Sequence, residues 1–360
     1  MNIISTQIKQ VVPQKYKELF LTKTTLVISS GGLHIFDMVG FFATYQESNI
    51  LPNYQWVVGV SAGSIVGLAL ICDLNFLQLS KDLINKFKIF QFASVTPLGI
   101  YNFITRSYLA PQSQTKYDLI LFVLDSWVKS GKASKLSPEK QKNTRLITFM
   151  DLYQITGKSF FVILTDLYSY QLSYASYLTT PNLSVADAIN ASSQIPFIWS
   201  PVELTITKET SFYYDGGITN IFPIAIFLPE CSQYSLNNIL PPESRVTLPN
   251  LEKTFMGVKV LNFADNVVYK NRIISEPPKE KKNINIISLL SQFLDFLTFG
   301  QDTLTTEYWL NKTAIIYNKK TNNIFTRIDR NRFYELFNNG VSEAVNSINI
   351  FIGSDGQKLS

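Results

Sequence analysis

The arrangement in this 360-residue chain best suited to chemistry is a serine held between glycines, Gly59-Val60-Ser61-Ala62-Gly63. A serine hydroxyl becomes a nucleophile when it stands clear on a sharp strand-to-helix turn, beside the positive end of the helix that follows. Glycines two before and two after remove side chains that would collide across such a turn. Trp56 to Val60 reads as a strand, and the small apolar residues up to about Cys72 read as a helix, so the context suits the pattern. A nucleophilic serine also needs a base, most often histidine. The one histidine, His34, precedes the serine on an earlier glycine turn, whereas the α/β-hydrolase order puts it last. The base is therefore a carboxylate or a lysine. In Tyr213-Tyr214-Asp215-Gly216-Gly217 an acid ends an apolar strand and two glycines permit a tight turn. Ligands of open α/β sheets bind at the carboxyl ends of the strands, so an aspartate there is a candidate partner, although Asp-Gly-Gly alone is a common turn.

These two positions lie far apart in the chain, and a scaffold must join them. Period and composition predict strands at Thr25–Ser29, Trp56–Val60, Ser159–Thr165, Gln171–Ala175, Phe212–Tyr214, Thr254–Leu261, Ala314–Tyr317 and Ile324–Arg327. Ile35 to Tyr45 is too long and too apolar for a strand and reads as a buried helix. Ser184-Val185-Ala186-Asp187 reads as a capping box opening another helix. A charged, Pro-containing loop is expected at Asn266–Asn285, an amphipathic helix at Ile286–Leu310 and a last helix at about Asn331–Ile348. Strands alternating with helices predict an α/β fold with a mostly parallel sheet covered on both faces. The expected organisation is an N-terminal extension over 1–22, one domain over 23–350 and a tail over 351–360. Within the domain a helical insertion spans about 75–128 and a basic linker 129–145.

Four blocks, taken in order, resemble those of the patatin-like phospholipase family over about Thr24 to Pro223. They are Ser29-Ser30-Gly31-Gly32-Leu33-His34, the Gly59 to Gly63 elbow, Ala191-Ser192-Ser193-Gln194-Ile195-Pro196-Phe197 with Ser200-Pro201, and Asp215-Gly216-Gly217 with Asn220 and Pro223. The step Thr165-Asp166-Leu167 is similar as well. The resemblance implies a three-layer α/β/α fold and a serine lipid acyl hydrolase with a Ser-Asp dyad. Ser61 would attack an ester carbonyl, Asp215 would accept its proton, and water would resolve the acyl-enzyme. It further implies an oxyanion hole from backbone N–H groups of Gly31, Gly32 and Leu33 with Ala62, and structural roles for Gly59, Gly63, Gly216 and Gly217. His34 stands where the family's glycine loop, G-G-G-x-Lys/Arg-G, carries its basic residue, and Ser30 and Ile35 replace its first and last glycines. A cationic His34 would contact a phosphate or shape the hole; alternatively it caps the next helix. No cofactor or metal is implied, and neither H-E-x-x-H nor C-x-x-C occurs.

The substrate implied is a phospholipid or other acyl lipid, cleaved in the manner of a phospholipase A. A triacylglycerol lipase or transacylase, or a catalytically weak lipid-binding protein on the same fold, are the alternatives, the last motivated by the altered loop. Composition agrees with an ordered globular protein: 46% hydrophobic, 13% aromatic and 16% charged. The net charge of +5 forms no basic stripe on one predicted helix, so nucleic acid is not expected as a partner. Six Lys or Arg between Lys129 and Arg145 face one acid, Glu139, and suit either a solvated loop or transient contact with an anionic membrane surface. The run Phe87, Ile89, Phe90, Phe92, Leu98, Ile100, Tyr101 and Phe103 fits a groove, a lid or plain core. Two cysteines make no disulfide framework. The polar start of the chain lacks a signal-peptide core, and no apolar run approaches the ~20 residues of a membrane span. A cytoplasmic or peripheral membrane location is the expectation.

Overall fold

The computed structural model describes residues 8–94, 96–206, 209–227, 235–240, 245, 247–261, 309, 312–317 and 326–356. Eight strands form one sheet: β1 (Thr25–Ile28), β2 (Trp56–Val60), β3 (Ser159–Asp166), β4 (Leu172–Ala175), β5 (Val202–Ile206), β6 (Glu209–Asp215), β7 (Phe255–Leu261) and β8 (Thr313–Tyr317). The helices are α1 (Gln14–Leu21), α2 (Ile35–Glu47), α3 (Ala62–Ile71), α4 (Phe76–Lys86), α5 (Pro97–Arg106), α6 (Gln114–Lys129), α7 (Pro138–Lys142), α8 (Phe149–Thr156), α9 (Val185–Ser192), α10 (Leu248–Thr254) and α11 (Arg330–Gly356). The path through the sheet runs β5-β6-β3-β2-β1-β7-β8, with β4 also paired to β3. β1, β2, β3, β7 and β8 are mutually parallel, and the additions at one end, β4, β5 and β6, are antiparallel.

β3 has three partners because its length lets two strands share one edge. Val162 pairs with Gly59 of β2 and Ala175 of β4, while Leu164 pairs with Asp215 of β6 and Ser173 of β4. A strand residue has one neighbour on each side, so β2 and β6 lie on the same side of β3, end to end and running in opposite directions. β2 finishes at Val60 opposite Ile163, and β6 finishes at Asp215 opposite Leu164. This register brings the residue after Val60 and the residue ending β6 to one point.

The parallel strands are buried along their length, as apolar runs covered on both faces must be. Alternate residues feed two cores. Leu26, Ile28, Val57 and Val162 face the larger one, with α2, α3, α6, α9 and α11. Val27, Val58, Val60 and Ile163 face a smaller one, which among the described residues is covered by short 3-10 turns around Ile224 and Leu236 and by α10. α2 is buried from Ile35 to Tyr45, which explains its apolar character all round. It meets α11 at two glycines: a Cβ on Gly40 would lie 2.0 Å from the Phe337 carbonyl oxygen, and one on Gly340 1.8 Å from that of Asp37. The two backbones touch where no other residue fits.

Several expectations shift in detail. β6 extends well beyond Phe212–Tyr214 because it forms a hairpin with β5, whose alternating Val202-Glu203-Leu204-Thr205-Ile206 carries one polar, exposed face. α11 continues to Gly356, past the boundary set for a tail at 351. Ser184 caps α9 through the Asp187 N–H, but the other half of the box is not made. The Asp187 carboxylate instead accepts from Tyr117 at 2.8 Å and faces Arg145 at 3.5 Å. The stretch 129–145 is folded in part, with α7 and a 3-10 turn. Lys140 pairs with Asp151 at 2.6 Å and Arg145 with Asp187, so two of its six cations are neutralised by neighbouring acids. The loop Asn266–Asn285, the helix expected over Ile286–Leu310 apart from Trp309, and residues 324–325 of the last expected strand lie outside the described residues. No helix among the described residues is long and apolar enough to cross a membrane.

Candidate active site

Ser61 sits between β2 and α3 with φ 52° and ψ −121°, a left-handed backbone that a side-chain-bearing residue adopts only under constraint. The constraint is the crowding of the turn. A Cβ at Gly59 would come 2.4 Å from the Cα of Ser64, and one at Gly63 would come 2.4 Å from the Ser29 carbonyl oxygen. The chain can therefore bend this sharply only with glycine on both sides of the serine. Ser61 is N-cap of the ten-residue α3, whose first N–H groups have no intrahelical acceptor. The positive end of that helix lies at the hydroxyl.

Asp215, where β6 meets the end of β2, receives the Ser61 hydroxyl. Ser61 Oγ donates to Asp215 Oδ2 at 2.7 Å, and the Gly217 N–H donates to Oδ1 at 2.8 Å. The backbone is held too: Asp215 N–H donates to the Gln194 carbonyl at 2.9 Å, and Thr165 Oγ1 donates to the Asp215 carbonyl at 2.8 Å. Both side chains are 6% exposed. Burial pushes the Asp215 carboxyl up to about 6, against the lowering pull of the Ser61 and Gly217 hydrogen bonds and of the Lys116 charge. A carboxylate so poised can take a proton from a hydroxyl near neutral pH.

Ser61 opens onto a narrow cavity of about 30 Å³, lined among others by Gly32, Ile35, Ala62, Phe92, Lys116 and Trp199. That is about the share of one water molecule, so a long ligand enters only if these walls part. Lys116, on α6, is 3% exposed and takes three acceptors: the Ser193 carbonyl at 2.9 Å, Gln194 Oε1 at 2.6 Å and the Asn190 carbonyl at 3.3 Å. Its ammonium also lies 4.4 Å from the Trp199 ring centre. Burial pulls its pKa down to about 7, opposed by the charge of Asp215.

The sequence pattern of the family described as patatin-like phospholipase matches residues 26–228, more than half of the chain. The chain belongs to the patatin-like phospholipase family. It is similar to the "Probable lipid hydrolase 463L" of Invertebrate iridescent virus 6, with 26% identity over 212 residues, covering 54% of this chain and 70% of that protein. It is also similar to the uncharacterized protein YqhO of Bacillus subtilis (strain 168), with 23% identity over 225 residues, 61% of this chain and 72% of that one. The crystal structure of VipD from Legionella pneumophila shares the fold, with a TM-score of 0.51 at 14% identity over 91% of this chain and 67% of that one. The patatin-like fold read from the sequence is therefore present, and membership of this family supports lipid hydrolase activity.

Within this patatin-like site the residues singled out in the sequence fall in different places. Ser61, Asp215, Ala62 and Gly32 are brought together, with Gly32 and Ala62 lining the cavity. Gly31 packs against Met38 and Val260, and Leu33 is buried at the start of a 3-10 turn; neither lines that cavity. The Gly216 and Gly217 corner forms the next 3-10 turn. His34 is 2% exposed and its Nδ1 lies 2.9 Å from Asp37 Oδ2. Asp37 in turn accepts from Asn339 Nδ2 at 2.7 Å, and the same nitrogen donates to the Tyr317 carbonyl at 2.8 Å. His34 is thus turned toward α2 and α11, away from a role as phosphate contact. It makes no side-chain cap hydrogen bond on α2. Ile35, where the family loop has glycine, presents an apolar wall to the cavity.

The small-residue block is more central than its sequence suggests. Ser192 Oγ accepts the Ser61 N–H at 2.9 Å, and Gln194 links Asp215 to Lys116. Lys116 itself was not singled out by the sequence reading. Its signal was a lysine aligned with Leu119, Ile120, Val123 and Trp127 on the buried face of α6, where a charge must have acceptors. The Lys116 cation favours ionised Asp215, so Lys116→Met is expected to move the acid limb of kcat/KM toward higher pH. The loss should be largest below about pH 6 and shrink at about pH 8, where the lysine itself is largely neutral. A soluble ester assayed across that range reads this out; an equal loss at every pH would assign Lys116 to loop packing alone.

Proposed function

We propose that the chain is a phospholipase A-type lipid acyl hydrolase that works through a Ser61–Asp215 dyad. The observation that carries the reading is the 2.7 Å hydrogen bond from Ser61 to a buried, raised-pKa carboxylate at the floor of an apolar cavity. As Ser61 Oγ attacks the ester carbonyl, its proton passes to Asp215 Oδ2. The developing oxyanion faces the N–H groups of Gly32 and Ala62 at the helix start. The tetrahedral species collapses, the alcohol leaves as a lysophospholipid and takes a proton from Asp215, and the acyl group stays on Ser61. Water then attacks the acyl-enzyme, with Asp215 as base, and frees the fatty acid. Thr165, Gln194 and Gly217 hold Asp215 in one orientation throughout, and Ser192 holds the Ser61 backbone. Family membership and the likeness to a protein named as a probable lipid hydrolase support the substrate class.

Detergent-dispersed phosphatidylcholine and triacylglycerol, supplied separately, test this. The expected result is fatty acid and lysophospholipid in equal amounts from the first, with little product from the second. Fluorophosphonate should add to the peptide containing Ser61. Release of the head group with no fatty acid would reject the assignment.

A further inference from the structure

We propose that α5 is a docking helix for an anionic lipid surface, an inference that rests on the acyl-lipid reading above and names the element that meets the lipid. A surface helix ordinarily turns its apolar residues inward. α5 does the reverse. Leu98, Ile100, Tyr101 and Ile104 are 67%, 51%, 61% and 77% exposed, while Gly99 is its only buried residue and Phe103 packs against the core. At 100° per residue these four side chains fall on one arc, broken only by Thr105, opposite Gly99 and Phe103. A contiguous apolar face differs from scattered surface hydrophobics and marks a partner.

Charge and position select the partner. From Leu83 to Tyr117 the chain has no acidic residue, while Lys86, Lys88 and Arg106 are exposed cations. An apolar helix face in such surroundings matches an interface of acyl chains beneath anionic head groups. The segments that flank the helix also reach the residues lining the cavity. The chain departs for α5 from Phe92, which lines the Ser61 cavity, and returns at Leu109 and Ala110, whose N–H groups bond to the carbonyls of Phe197 and Ile198. Ala110 pairs with Trp199, which also lines the cavity. Both ends of the α5 excursion are therefore fastened to the walls that a lipid must part. The helix is fixed at its own ends, by the Thr96 side chain capping the Gly99 N–H and by Ser107 in the left-handed region. It presents its face as a preformed helix and does not need to fold on the surface.

Sedimentation with phosphatidylcholine vesicles, with and without about 25% phosphatidylserine, tests this. The full chain is expected to partition onto the anionic vesicles. Leu98→Ser/Ile104→Ser should lower that partition about tenfold or more, because binding scales with buried apolar area. Arg106→Glu should weaken binding to the anionic vesicles and leave the neutral ones unchanged. Both variants should hydrolyse a soluble ester at the wild-type rate, which shows that they fold. Equal partition of wild type and the double variant overturns the proposal, as does a wild type that binds no vesicle. A dimer that the double variant splits, with no lipid binding, overturns it in favour of a second copy of the chain. Vesicle binding by a wild type that hydrolyses no ester would leave the docking helix standing and reject the acyl hydrolase.

Discussion

Ser61→Ala is expected to lower phospholipid hydrolysis about 10⁴-fold or more and to abolish fluorophosphonate labelling, with the fold intact. The alanine keeps the backbone that Ser192 holds and removes only the oxygen that forms the acyl bond. Asp215 retains its bond from the Gly217 N–H, so no buried carboxylate is left without a donor. Binding should survive, because the cavity walls are unchanged. The loss should therefore appear in kcat, with KM little altered. Comparable turnover by the variant and the wild type would remove Ser61 from the mechanism.

Asp215→Asn is expected to cost about 10³-fold to 10⁴-fold, and its pH profile carries information that the serine variant cannot. The amide matches the carboxylate in shape but cannot accept the hydroxyl proton. In the wild type, Asp215 titrates at about 6 because burial disfavours its charge. Below that value the group is protonated and cannot act as base. Above it the group is ionised and active, so kcat/KM should rise with pH through about 6 and then level off. The variant's residual rate should lack this rise. A wild-type profile flat through that region would place the base elsewhere. If the variant kept the same acid limb, the titrating group would not be Asp215.

What could be read in advance followed from local sterics. The elbow was legible because a turn that tight admits only glycine at Gly59 and Gly63, and the buried parallel strands were legible because covered strands are apolar on both faces. The pairing of Ser61 with Asp215 was suggested by an acid at the end of a strand and sharpened by the resemblance. Its physical cause, two strands sharing one edge of β3, is a long-range register that no local pattern encodes. β5 was missed although Val202, Leu204 and Ile206 alternate with Glu203 and Thr205, the pattern of a strand with one exposed face, and of its partner β6 only Phe212–Tyr214 was expected. His34, read from its type as a phosphate contact or a helix cap, is buried with its Nδ1 beside Asp37, a contact the sequence alone did not suggest. The aromatic run over 87–103 looked uniform but splits in three. Phe90 is core, Phe92 lines the cavity, and on α5 Leu98, Ile100 and Tyr101 face outward while Phe103 packs against the core. Phe90 and Phe92 lie in the non-helical segment between α4 and α5, and residue type alone does not say which side of such a segment is covered.

The glycine-to-backbone contact between α2 and α11 also bears on the order in which the protein is made. α2, largely apolar, is made well before α11, the helix that packs against it. Ser61 and Asp215 will both have been synthesised while that face is still bare. The nascent chain therefore carries a sticky, uncovered helix through much of its elongation, a natural client for chaperones. The tie from His34 through Asp37 to Asn339 anchors the glycine loop on that same later helix, so the loop gains this support only once α11 has been made.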